Sequence, residues 1–204
     1  MVSGVSRAAR HNRQIKWEPS MDVKRLDIDG LVMVKPRRFG DERGWFVETW
    51  NDEKHTAAGI TGPFVQDNQS LSRIQGTVRG LHFQLAPAAQ GKLIRVIRGR
   101  ILDVAVDLRQ GSPTYGHHVA VELDAEEGWQ LWVPVGFAHG FCTLVPDTEI
   151  AYKVTALYSP AHDRGLLWND PALGIPWPEF AGAVLSDKDG KQPTLADIGT
   201  PFPA

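Results

Sequence analysis

The feature that most constrains the fold is a series of short runs in which apolar and polar residues alternate, broken by glycine, proline and aspartate. Val104, Val106 and Leu108 alternate with Asp103, Ala105 and Asp107; Val119, Val121 and Leu123 alternate with His118, Ala120 and Glu122; Ile150, Tyr152 and Val154 alternate with Glu149, Ala151 and Lys153. A two-residue period belongs to a strand with one buried face. Such runs from Leu26 onward, with almost no helical pattern, predict an all-β antiparallel sandwich or barrel of the jelly-roll type. Gly111-Ser112-Pro113 and Asp124 to Gly128 read as turns between them. The clear helix signal is Asn51 as N-cap, a mixed run to Ala58, and Gly59 as the stop. Twenty glycines and fourteen prolines, scattered rather than clustered, fit a turn-rich chain. Trp168-Asn169-Asp170-Pro171 and Ile175-Pro176-Trp177-Pro178 are too proline-rich for interior strands, so the C-terminal segment is expected to wrap the barrel. Ser186 to Gly190 is polar enough for a surface turn or for part of a site.

At 204 residues the chain fits one domain. We expect it over 21–204, behind a flexible basic tail at 1–20 that carries Arg7, Arg10, Arg13 and Lys16, with Met21 as an alternative start. With 22 basic and 24 acidic side chains the net charge is −2, which argues against a nucleic-acid partner but leaves room for an acidic small ligand. No run approaches the roughly twenty apolar residues of a membrane span. The basic start has no apolar stretch behind it, so no secretory signal is expected and the cytoplasm is the expected compartment. Cys142 is the single cysteine and reads as a small buried hydrophobe.

Gly128-x5-Pro134-x-Gly136-x2-His139 resembles the second sequence motif of the cupin superfamily, which implies a cupin-type barrel. In metal cupins that histidine is a ligand, and a partner motif supplies His-x-His and a glutamate. Here the upstream segment is Leu81-His82-Phe83-Gln84, with glutamine at the second histidine position and no glutamate following. His82, Gln84 and His139 make a poor donor set for a transition metal, so no metal is expected. Without its motif, His139 reads as a hydrogen-bonded histidine at a strand start.

Further blocks agree with one another: Asp41-Glu42-Arg43-Gly44-Trp45-Phe46-Val47-Glu48, Gln66-Asp67-Asn68-Gln69-Ser70, Val78-Arg79-Gly80-Leu81-His82, and Gln90-Gly91-Lys92-Leu93. Downstream come Gln130 to Phe141, Leu167 to Pro178, and Leu185-Ser186-Asp187-Lys188-Asp189. From about Lys24 to Asp189 the chain resembles the dTDP-4-dehydrorhamnose 3,5-epimerases. The resemblance implies inversion at C3 and C5 of dTDP-4-dehydro-6-deoxy-D-glucose without a cofactor, and a homodimer. Such chemistry requires a base on one face of the sugar, an acid on the other, and a donor for the enolate oxygen. By the family motifs, His82 matches the base, Asp189 the carboxylate that orients it, Tyr152 the acid, and Lys92 the cation beside the enolate. Arg43, Glu48, Gln66, Asn68, Arg79, His139, Asp163 and Lys188 match substrate contacts. The chain departs from the family at Asp163, where glutamate is common, and at Gln69, where histidine is frequent.

By periodicity alone Tyr152 is a core aromatic, and Asp187-Lys188-Asp189-Gly190 is a solvated turn. Strict alternation from Val78 sets Arg79 and His82 on opposite faces, so either Gly80 marks a bulge that brings them together or one of them contacts the ligand from a neighbouring edge. Epimerisation at one carbon only is the close alternative function. A metal cupin and a non-catalytic sugar-binding barrel are the rivals from other classes.

Overall fold

The computed structural model describes residues 21–203, so the tail expected at 1–20 lies outside the described residues. Two antiparallel sheets face each other. The six-stranded sheet runs in the order β1 (Met21–Arg25), β2 (Val32–Pro36), β10 (Gln130–Val133), β7 (Lys92–Arg98), β12 (Thr148–Val154) and β5 (Gln66–Ser72). The five-stranded sheet runs β13 (Asp163–Gly165), β6 (Val78–Gln84), β11 (Phe137–Thr143), β8 (Arg100–Asp107) and β9 (His118–Asp124). A separate hairpin joins β3 (Arg38–Asp41) to β4 (Gly44–Val47). No described helix is long and apolar enough to cross a membrane.

The alternating pattern builds three apolar layers. Between the sheets, Met33, Ile94, Val96, Leu131 and Ile150 meet Ile101, Ala105, Leu123, Phe137 and Phe141, with Val119, Val121 and Tyr152 packed against them. Outside the six-stranded sheet, Val32, Val34, Leu93 and Trp132 are covered by Ala58 and Ile60 around the helix α1 (Asp52–Ala57). Asn51 caps that helix, its side-chain oxygen accepting the Lys54 N–H at 3.1 Å, and Gly59 ends it at a φ of +91°. Outside the five-stranded sheet, Leu81, Phe83, Val104, Val106 and Ala138 lie under Ile175, Trp177, Leu195, Ile198 and Phe202. The C-terminal segment therefore wraps the barrel as its prolines foretold. Asp170 pins it by accepting the N–H groups of Ala172 and Leu195 at 3.0 and 2.7 Å.

That wrapping changes the meaning of one pattern. The alternation in β8 reads as one apolar face inward and one polar face toward water, yet β8 is buried on both sides from Asp103 to Asp107. Val104 and Val106 point outward under the C-terminal segment, whereas Asp103 and Ala105 point into the barrel. The polar face is the inner one because the interior houses polar groups at its end, while the covering segment supplies the apolar contact.

Gly80 resolves the register of the neighbouring strand. Along the β6–β11 pair His82 faces His139 and Arg79 faces Phe141, so Gly80 and Leu81 together stand opposite Gly140 alone. One extra residue restores Arg79 and His82 to the same face. Gly80 has a φ of +123°, and a Cβ there would lie 2.6 Å from Gly140 Cα, so only glycine fits.

Candidate active site

The two sheets bring four of the expected groups into one interior. His82 stands beside His139 on the inner face of the five-stranded sheet, and Tyr152 packs against the inner core from the six-stranded sheet. Lys92, on β7 next to β12, sends its Nζ across to the His82 carbonyl at 3.1 Å. The Ser186–Gly190 segment is an exposed turn except at Asp189, which points in toward His82. Asp189 is only 4% exposed, and its Oδ1 lies 2.5 Å from His82 Nε2. Burial opposes ionisation of Asp189, but the His82 hydrogen bond and charge, helped by Ser186 and the Gly80 N–H, hold its carboxyl below the ordinary range. With Nε2–H donated to Asp189, the imidazole of His82 offers Nδ1 as its proton acceptor.

Charge is tuned around this pair. Burial pushes the Lys92 ammonium down to about 8, against the opposing pull of Asp163 and Asp103. Burial pushes the Tyr152 hydroxyl up, with Arg79 nearby acting in the opposite direction, so the phenol is protonated at neutral pH. Asn68 stands directly across from Tyr152 and takes a hydrogen bond at 2.8 Å from Gln66. Arg79 is held at the end of β5, its Nε donating to Ser72 at 3.1 Å. Asp163 pairs with Lys188, so the shorter carboxylate is still reached by that lysine.

Arg43 and Glu48 are not brought to this group. Arg43 lies in the exposed β3–β4 turn with its side chain 85% exposed and paired to Asp41, and Glu48 pairs with Lys54 of α1 at 2.5 Å. Gln84 has another task. Its amide donates to the carbonyls of Ala88 and Leu157 and accepts the Ser159 N–H, tying down the loop beyond β12. Cys142 has no exposed surface, and burial pushes its thiol up to about 11, as suits a packing residue.

Tyr158, which no sequence motif marks, contacts two of the candidate residues. Its hydroxyl donates to Asp163 at 3.1 Å, its backbone N–H donates to the Gln66 side chain at 3.0 Å, and its ring is 57% exposed. In Leu157-Tyr158-Ser159-Pro160 it looks like a loop aromatic. Its pairing with Asp163 across five residues is visible only once the loop is folded.

The family model described as dTDP-4-dehydrorhamnose 3,5-epimerase matches residues 25–197. The dTDP-4-dehydrorhamnose 3,5-epimerase of Sinorhizobium fredii is 55% identical over 182 residues, which is 89% of this chain and 93% of that one. A crystal structure of the dTDP-4-dehydrorhamnose 3,5-epimerase of Bacillus anthracis with TDP and PPi bound superposes with a TM-score of 0.82 at 50% identity, covering 86% of this chain and 99% of that one. The dTDP-6-deoxy-D-glucose-3,5-epimerase of Legionella pneumophila, in complex with dTDP-4-keto-L-rhamnose, gives a TM-score of 0.83 at 43% identity, covering 88% and 95%.

Proposed function

This chain belongs to the dTDP-4-dehydrorhamnose 3,5-epimerase family and is an isomerase of that activity, and from this premise we propose that His82 and Tyr152 move the protons while Lys92 holds the charge that forms between them. The placement of His82 and Tyr152 on opposing sheets of one interior carries the reading. The substrate is dTDP-4-dehydro-6-deoxy-D-glucose, lying between the sheets with one face toward each residue. His82 Nδ1 takes the proton from the carbon beside the C4 ketone, and the C–H electron pair moves onto the ketone oxygen as an enolate. Asp189 stabilises the imidazolium that results. The Lys92 ammonium stabilises the enolate oxygen. Tyr152 then gives its proton to the same carbon from the other face, which inverts the centre, and solvent restores both side chains. Each step is a proton transfer, so no redox group is called for.

Arg79 and Lys188 supply cations for the diphosphate, with Arg79 able to offer a forked pair of donors. The exposed ring of Tyr158, fixed through both its hydroxyl and its backbone, gives a flat face for the pyrimidine base. The nucleotide sugar is charged and does not cross a membrane unaided, which places the enzyme in the cytoplasm. Incubation with the ketosugar nucleotide in D₂O tests the assignment: label at both C3 and C5 is expected. Label at one carbon would reduce the activity to a single epimerisation, and no label would sink the mechanism.

The enzyme works as a homodimer. Arg43 and Glu48 match substrate contacts by sequence yet sit on the exposed β3–β4 side of their own chain, so a second copy is the route by which they reach a sugar nucleotide. Sedimentation at micromolar concentration should give a dimer, and a monomer would count against this assembly.

A further inference from the structure

His139 is held by a carboxylate that no motif pointed to. Asp103 on β8 has no exposed surface, and its Oδ1 lies 2.5 Å from His139 Nε2. The register explains the contact. Strand β11 runs between β6 and β8, so His139 has His82 directly beside it on one side, and Asp103, which faces Phe141, as its diagonal neighbour on the other. Asp103 Oδ2 is buried as well and has no hydrogen-bond partner among the described residues. A buried carboxylate with one oxygen unmatched is destabilising, and an apolar side chain of similar size would serve the core better. Asp103 therefore sits at a cost to stability immediately behind the reacting groups, in the same relation to His139 as Asp189 to His82.

We infer that Asp103 is a positioning residue for the epimerisation: it turns His139 so that Nε2–H points into the sheet and Nδ1 is presented to a sugar hydroxyl. This follows from hydrogen-bond accounting. A neutral imidazole that donates through Nε2 has its lone pair on Nδ1, and His139 Nδ1 has no protein partner among the described residues. The inference rests on the assignment of this interior as the active site.

Two measurements on the full-length protein test it. The ¹⁵N shifts of the His139 ring in the unmodified enzyme should report a protonated Nε2 and a bare Nδ1, and the opposite tautomer would overturn the inference. Asp103→Asn keeps the size and an acceptor, but its amide can also donate, so it no longer imposes one tautomer on His139. It should lower kcat about tenfold and give His139 ¹⁵N shifts of mixed tautomers, with an unchanged or higher melting temperature. Unchanged kcat and ¹⁵N shifts, or a loss of kcat matched by a loss of folded protein, would overturn it. Should the variant not fold, the tautomer measurement on the unmodified enzyme still decides. Deuterium should continue to enter at both carbons in Asp103→Asn, so failure of this inference leaves the assignment of His82 and Tyr152 standing. Absence of exchange in the unmodified enzyme would instead remove that assignment.

Discussion

Replacing His82 with glutamine should abolish epimerisation and solvent exchange together, lowering the rate by roughly 10³-fold or more while the protein stays folded. Glutamine is the informative choice because of Asp189. That carboxylate is 4% exposed and takes its short hydrogen bond from His82 Nε2. Alanine would leave it buried without its donor, at a cost of about 1–3 kcal/mol, and a loss of activity could then be blamed on a loosened site. A glutamine amide reaches about as far as the imidazole Nε2 and can donate the same bond, but it has no basic nitrogen. If the proton acceptor is His82, C–H cleavage stops in both directions, so no deuterium enters the substrate and none leaves a labelled product. Melting should change little, since the His82 side chain is 32% exposed and glutamine keeps the bond to Asp189. Deuterium uptake by this variant at even a tenth of the normal rate would show that another group removes the proton.

The particular residues show what a sequence can carry. The strand pattern is local: side chains alternate across a pleat whatever the fold around them, so β9 and β12 were legible from period alone. The helix α1 was legible because a cap and a stop act within one turn of chain. Which side of a strand faces the site is not local. Asp103 alternates with valines as a surface residue would, and only the C-terminal segment laid over Val104 and Val106 leaves it on the inward face. The Arg79–His82 relation needed the bulge opposite Gly140, and one glycine in a strand pattern leaves its position open. Asp189 had no distinguishing local feature, because its partner lies more than a hundred residues away in the chain. Its assignment rested on the motif, and the buried contact with His82 supports it. Tyr158 lacked even that, being an exposed aromatic whose partners Gln66 and Asp163 stand at the starts of β5 and β13. Arg43 and Glu48 show the reverse: recognisable in the sequence, they lie on a part of the single chain that does not reach the interior.

Tyr152→Phe should separate the two halves of the reaction. The substitution removes one hydroxyl from a half-buried ring packed on the inner core and leaves His82, Asp189 and Lys92 in place. Proton removal by His82 remains possible, and the enolate still has the Lys92 ammonium beside it. What is lost is delivery from the opposite face, so inversion should fall by roughly 10² to 10⁴-fold. The proton on His82 has two fates: it returns to the carbon it left, or it exchanges with solvent first, which the partial exposure of the imidazole permits. In D₂O the variant should therefore place deuterium in recovered substrate without changing its configuration. Unmodified enzyme gives labelled product instead, because the deuteron that enters there comes from Tyr152. Burial raises the pKa of the Tyr152 hydroxyl, so the phenol carries its proton across the neutral range and its removal should depress inversion at every pH from 6 to 9 by about the same factor. Inversion at close to the normal rate in the phenylalanine variant would mean that another donor, such as water admitted between the sheets, supplies the second proton. Loss of wash-in along with inversion would mean that the phenol is needed to form the enolate as well as to quench it, and the division of labour between the two sheets would have to be redrawn.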